Sequence, residues 1–270
     1  MRGALTGLVL LGIAAAPAAA QVADLRSTTE FRVCADPALK PMSAEDESGF
    51  ENKLAELFGK ILGQPVSYTW FPSGPGFIAR TLRAGECDVV MGYAQGDELV
   101  QNTNHYYTSV YGIVTRKDGD LAGVDHLRDP ALKDHDLGVI AGTPPATIMA
   151  RAGLARDMRG GDLVVDRRVM DPVGDMIGQV RDGTLDAAVL WGPLAGPQVK
   201  GDPDLQFTPL LKEEGAPRMF FRITMGVRLP EQEWKRQLNS LIRRNQDQIN
   251  AILRDAGVPL VDDYGKDLLP

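Results

Sequence analysis

Residues able to do chemistry are few in this chain and poorly arranged to do it together. His105, His126 and His135 all lie in polar, loop-like stretches, where a lone imidazole is ordinarily a surface group. No Gly-x-Ser-x-Gly elbow is present to hold a nucleophilic serine. The run Gly138-x-x-x-Gly142-Thr143 has the outline of a phosphate loop but lacks its lysine, and Pro144-Pro145 removes two amide donors. Two readings of it remain: a helix start whose amides hold an anion or acceptor group, or a capped helix with no ligand. Glu45-Asp46-Glu47 and Asp262-Asp263 offer hard oxygens, yet neither follows a calcium-loop pattern. No metal site is expected. With neither Cys-x-x-Cys-His nor a nucleotide fingerprint in the chain, no tightly held cofactor is expected either.

The elements that would position a site alternate. Phe31 to Ala35 reads as a strand that ends at Asp36-Pro37. Phe50, Leu54, Leu57, Phe58, Ile61 and Leu62 make one face of a helix, with Ser48 and Glu51 as its capping box and Gly63 as its stop. Val66 to Phe71 is the next strand, Phe77 to Ala84 a short helix, and Asp88 to Gly92 a buried strand. That order implies a parallel sheet with helices on both faces. Arg83-x-Gly85-x-x-Asp88 recurs as Arg181-x-Gly183-x-x-Asp186, each ahead of an apolar strand, which points to two similar α/β lobes. In the second lobe, strands are expected at Leu137 to Ile140, Leu163 to Val165 and Ala187 to Leu190, and again from Arg218 to Val227. A single long helix is expected between Pro230 and Gly257, with Trp234, Leu238, Leu241, Ile242, Ile249, Ile252 and Leu253 as its stripe.

In such sheets ligands meet the carboxyl ends of the strands. Those ends carry Asp36 and Pro37, Phe71, Gly92 and Tyr93, Gly142 and Thr143, and Trp191, Gly192 and Pro193. Tyr93, Tyr106, Tyr107 and Trp191 are candidates for an aromatic wall suited to an apolar ligand or a protruding partner segment. The alternative is that Tyr106 and Tyr107 pack at the hinge and Trp191 fills the lobe interface.

The chain has 270 residues and a net charge of −7, against which a generic nucleic-acid or anionic-membrane binder is not expected. Met1-Arg2, the apolar run from Leu5 to Ala16 and Ala18-Ala19-Ala20 form the three parts of a secretory signal. Residues 1–20 are therefore expected to be removed, leaving an exported chain with no membrane span, in a periplasm if the source is Gram-negative. Two cysteines in an oxidising compartment favour a Cys34–Cys87 disulfide over two buried thiols. The expected domains are lobe 1, from 27–112 plus 223–270, and lobe 2, from 113–222, joined by two extended hinge segments near Val110–Thr115 and Phe221–Gly226.

Phe31-Arg-Val-Cys-Ala-Asp36-Pro, Gly49-Phe50-Glu51, Leu82-x-x-Gly85-x-x-Asp88-Val-Val and Tyr106-Tyr107-Thr108 resemble a type 2 periplasmic solute-binding protein, of the family 3 kind. Ala84-Gly-Glu-Cys-Asp-Val-Val-Met-Gly and above all Leu190-Trp191-Gly192-Pro193-Leu194-Ala195-Gly196 resemble the MoxJ/XoxJ type found with quinoprotein methanol dehydrogenases. The resemblance implies a non-catalytic accessory of a PQQ-dependent alcohol dehydrogenase and its cytochrome c, with the quinone and metal chemistry belonging to the partner. Amino-acid-binding relatives carry an Arg shortly after the strand that ends here at Gly92. This chain has Asp97 and Glu98 there instead and no Arg before Arg116, which disfavours an α-amino acid ligand. Two further readings compete: a receptor delivering a small non-amino-acid solute to an ABC permease, and a dehydratase-like enzyme using Asp36 or Glu98.

Overall fold

The computed structural model describes residues 25–270, so the expected leader lies outside the described residues. In chain order the elements are β1 (Phe31–Ala35), α1 (Phe50–Leu62), β2 (Val66–Trp70), α2 (Phe77–Arg80), β3 (Val89–Ala94), β4 (Gln101–Asn102) and β5 (Tyr107–Arg116). They continue with β6 (Leu137–Ile140), α3 (Pro144–Arg151), β7 (Met158–Gly161), α4 (Pro172–Asp182), β8 (Ala187–Trp191) and α5 (Gly192–Val199). The last are β9 (Leu205–Pro209), β10 (Phe220–Val227), α6 (Gln232–Arg244) and α7 (Gln246–Ala256). The strands run in the order β2-β1-β3-β10-β5-β8-β6-β7, with β4 on β10 and β9 on β5.

Two parallel triplets are joined by antiparallel crossovers. β1 sits between β2 and β3, and β6 between β7 and β8, all parallel. β5 belongs to both lobes: Tyr107 to Val110 pair with β10, while Tyr111 to Thr115 pair with β8. The duplicated Asp motif occupies equivalent places. The Asp88 amide donates to the Arg32 carbonyl and the Asp186 amide to the Asp136 carbonyl, each at 2.8 Å. Each aspartate carboxylate also accepts a backbone amide, from Ser27 or Asp136, at 3.0 Å.

The larger apolar core runs from Phe31, Phe58, Trp234 and Leu253 of the first lobe into Val173, Ile177, Leu190 and Leu194 of the second; another gathers Ile113, Leu137, Val139 and Met149 on the second triplet. A smaller cluster of Phe77, Leu82 and Val100 surrounds the Cys34–Cys87 disulfide, which joins β1 to the turn before β3 with Cα atoms 5.4 Å apart.

Four local expectations are corrected. The long C-terminal helix is two helices, because the Asn245 side chain donates to the Leu241 carbonyl at 2.7 Å and Asn245 itself takes φ −123°. Leu163 to Val165 is no strand: Met158–Gly161 pairs with β6 as its edge partner, and Leu163 and Val164 are exposed. The short helix ends at Arg80 rather than Ala84. Ser48 does not cap α1: its hydroxyl donates to Asp46, Gly49 stands at the N-cap, and the Asn52 side-chain oxygen accepts the Gly49 amide at 3.2 Å.

The lobe-1 triplet is tied to α6 through Asp88, whose side chain is 1% exposed. Arg32 grips it with Nε at 2.8 Å and Nη2 at 2.7 Å, and Arg228 Nη2 lies at 2.6 Å. Burial raises the Asp88 pKa, but the hydrogen bonds from Arg32, Arg228 and the Ser27 amide outweigh it and hold the group below its ordinary value. A depressed carboxylate stabilises the fold above its unfolded pKa and loses that contribution as pH falls through the folded one. Asp88→Asn is expected to cost about 3–5 kcal/mol, chiefly by leaving the buried Arg228 guanidinium without its carboxylate, with the part-exposed Arg32 contributing less. Urea unfolding at pH 7 checks it, and the gap between the two proteins should narrow below about pH 4.

Candidate functional site

The strand ends of both triplets open on two adjoining cavities that share Gly92. The first, of about 460 Å³, lies at the ends of β1 and β3. Asp36 lines it with both oxygens held by the backbone: Oδ1 accepts the Ala38 amide at 2.9 Å and Oδ2 the Ser73 amide at 2.6 Å. Tyr93 stands on the neighbouring strand β3, its hydroxyl donating to Asp97 at 2.9 Å. Burial and that carboxylate push the Tyr93 phenol well up. The remaining walls are largely apolar, from Leu39, Met42, Phe77, Ile78 and Met91.

Glu51 also lines this cavity, and no reading of the motifs singled it out as a site residue. Its place in the first turn of α1 looked like a capping role. The side chain instead turns inward, is 7% exposed, and its Oε1 has no hydrogen-bond partner. Burial, with Asp36 adding to it, raises the Glu51 carboxyl to about 8, so it is mostly neutral at pH 7. Gly92 makes room for it. That residue takes φ +64°, and a Cβ there would stand 1.9 Å from Glu51 Oε1.

The second cavity, of about 300 Å³, lies where the lobes meet. Tyr111 of β5, Trp191 at the end of β8 and Phe221 of β10 form its aromatic wall, with ring centroids 5.0 Å (Tyr111–Trp191), 5.7 Å (Trp191–Phe221) and 6.4 Å (Tyr111–Phe221) apart. Burial pushes the Tyr111 phenol up to about 12. Thr143 reaches this cavity, its hydroxyl donating to the Ile140 carbonyl at 2.6 Å, and Arg167 and Leu163 close the rim.

Of the candidate residues named from sequence, Asp36, Gly92, Tyr93, Thr143 and Trp191 therefore line the cavities. The others sit elsewhere. Tyr106 and Tyr107 are buried beneath the floor, edge to face at 5.0 Å, and the Tyr106 hydroxyl accepts the Gly92 amide at 2.9 Å. Phe71 packs on Phe77 and under Arg80. Pro37 is half-buried in the turn after β1, and Gly142, at φ +77°, is exposed ahead of α3. Gly192 and Pro193 begin α5, where Gly192 lets the Val110 carbonyl and Pro259 come close. Tyr111 and Phe221 escaped notice as wall residues because each sits in an extended hinge segment with no motif around it. Among the described residues no cluster of His, Cys, Asp and Glu is placed to hold a metal, and no helix is long and apolar enough to cross a membrane. The histidines make single contacts with Asp263, Asp125 and Asp186.

Two α/β lobes with a cleft at their strand ends define a type 2 periplasmic binding-protein fold. The crystal structure of the periplasmic binding protein XoxJ from Methylobacterium extorquens AM1 superimposes with a TM-score of 0.73 at 35% identity, over 86% of this chain and all of that one. MxaJ from Methlophaga aminisulfidivorans MPT gives the same TM-score at 26% identity, over 86% of this chain and 100% of that one. The protein MoxJ of Methylorubrum extorquens is 29% identical over 93% of this chain and 92% of its own length. No family profile matches the sequence. The chain belongs to the MoxJ/XoxJ family of periplasmic binding proteins.

Gly92→Ala is expected to destabilise the protein by roughly 1–3 kcal/mol, since the methyl is forced onto the Glu51 carboxyl at a left-handed backbone position. A double-mutant cycle with Glu51→Ala checks the cause. Part of the loss should be recovered in the double variant, whereas strict additivity would mean the backbone conformation alone is responsible.

Proposed function

We propose that the protein is a non-catalytic accessory factor of the periplasm that binds a PQQ-dependent methanol or alcohol dehydrogenase and serves its assembly or activation. Its cleft receives an apolar segment of that enzyme. Membership of the MoxJ/XoxJ family supports the reading, together with the resemblance of the Trp191-Gly192-Pro193 run to proteins found with such dehydrogenases. The observation that carries it is the Tyr111–Trp191–Phe221 wall. Three aromatic rings converge on one cavity, and anchors of this kind dominate binding energy in protein interfaces. The cytochrome c of the same system is a second candidate partner. A receptor for a small non-amino-acid solute is the competing reading, favoured by the separate 460 Å³ cavity beside Asp36.

Tagged mature protein isolated from its native periplasm should carry a dehydrogenase subunit identifiable by mass spectrometry and by its quinone absorbance. Recovery of a small metabolite with no dehydrogenase overturns the proposal. Trp191→Ala should weaken the dehydrogenase complex by about tenfold or more in surface plasmon resonance, while thermal unfolding shows an intact fold. An unchanged affinity would mean that the aromatic wall is not the interface.

A further inference from the structure

The cavity beside Asp36 has a chemistry of its own, independent of the partner reading. A carboxyl removed from water normally finds a hydrogen-bond donor or a cation, because leaving it unpaired is costly. Glu51 has found neither: its Oε1 is buried and unpartnered, at the wall of an open cavity. A second carboxylate, Asp36, stands close enough to disfavour its ionisation. Two backbone amides lock Asp36 in place, so it cannot turn away. Tyr106 and Tyr107, whose phenols feel the Glu51 charge, are held neutral by burial and supply no positive charge. Tyr68, from β2, is likewise a neutral phenol. Of the charged groups on the same cavity, Asp97 adds a further negative charge and Arg83 a positive one. Across the cleft, Arg168 feels Asp36 but is engaged by Asp166 at 2.7 Å.

We infer that this cavity is a binding site for an organic ammonium ion with an apolar body, its charged head seated between Glu51 and Asp36. Leu39, Met42, Phe77, Ile78 and Leu99 line the space for the hydrocarbon part. Seating the cation requires an ionised Glu51, so each ammonium bound displaces one proton from the carboxyl to solvent. With Glu51 titrating at about 8 in the free protein, apparent affinity should rise nearly tenfold for each unit by which the pH is raised toward that value.

Calorimetry on the purified mature protein tests this with butylammonium, benzylammonium and 2-phenylethylammonium chlorides, against the corresponding neutral alcohols. The expected result is saturable binding of at least one amine, tighter than its alcohol, with close to one proton released at pH 7 when buffers of different ionisation enthalpy are compared. Affinity should rise about tenfold between pH 6 and pH 7. Glu51→Gln keeps the side-chain shape and needs no proton, so its fold should persist by thermal unfolding. It should bind the amine at least tenfold more weakly, with a flat pH profile. Alcohols binding as tightly as amines, amine binding unchanged in Glu51→Gln, or no binding of any of the three amines would each overturn the assignment. Amine binding would also be expected of the small-solute receptor, so the accessory role is decided separately, by co-purification and by Trp191→Ala.

Discussion

The cleft depends on the clamp at Asp88. This carboxylate sits at the start of β3 with Arg32 of β1 on one side and Arg228, just beyond β10, on the other. Arg228 also reaches the Leu82 and Cys87 carbonyls and Glu231, and the Trp234 indole donates to the Asp88 carbonyl. One buried anion thereby fixes where the central strand begins and how the C-terminal helices meet it. Buried charges of this kind are poor sources of net stability but exacting about geometry. Since β3 starts here, Gly92 falls four residues later at the cavity floor.

The two cavities that meet at Gly92 differ in character. The one between the lobes is walled by aromatic rings from three strands, two of them the crossovers. A side chain on a crossover strand feels both lobes, so an occupant of this space is coupled to their relative position. The other belongs to the first lobe and contains carboxyls set among apolar groups. The inter-lobe cavity is suited to burying apolar surface, the cavity beside Asp36 to pairing charge.

Much of this was legible in the residues. The alternation of strand and helix and the helix-Gly-Asp-strand echo follow from local patterns, while the Cys34–Cys87 pair was expected from two cysteines in an exported chain and closed by the tertiary structure. Such patterns survive folding because they reflect the backbone's own preferences. The echo proved physically meaningful in that Asp88 and Asp186 both fasten a strand start to its neighbour. Motifs failed where a side chain's role is set by what comes to lie opposite it. Glu51 had the spacing of a capping residue, yet a glycine 41 positions away opens a space into which it turns. Leu163 to Val165 had the composition of a strand, yet the edge of the sheet was already taken by a stretch rich in glycine.

Amino-acid order alone determined the fold class and the polarity of the cleft, since hydrophobic period and turn residues dictate which face of each element is buried. It also placed Asp36 and Trp191 at strand ends, where an open α/β sheet must present them, and put Gly92 there too, although β3 runs on to Ala94. Only the tertiary structure decided that Tyr106 and Tyr107 lie under the floor, that Tyr111 and Phe221 complete the aromatic wall, and that Glu51 is left without a partner. Those outcomes depend on contacts between segments far apart in the chain, and no local pattern encodes the distance between them.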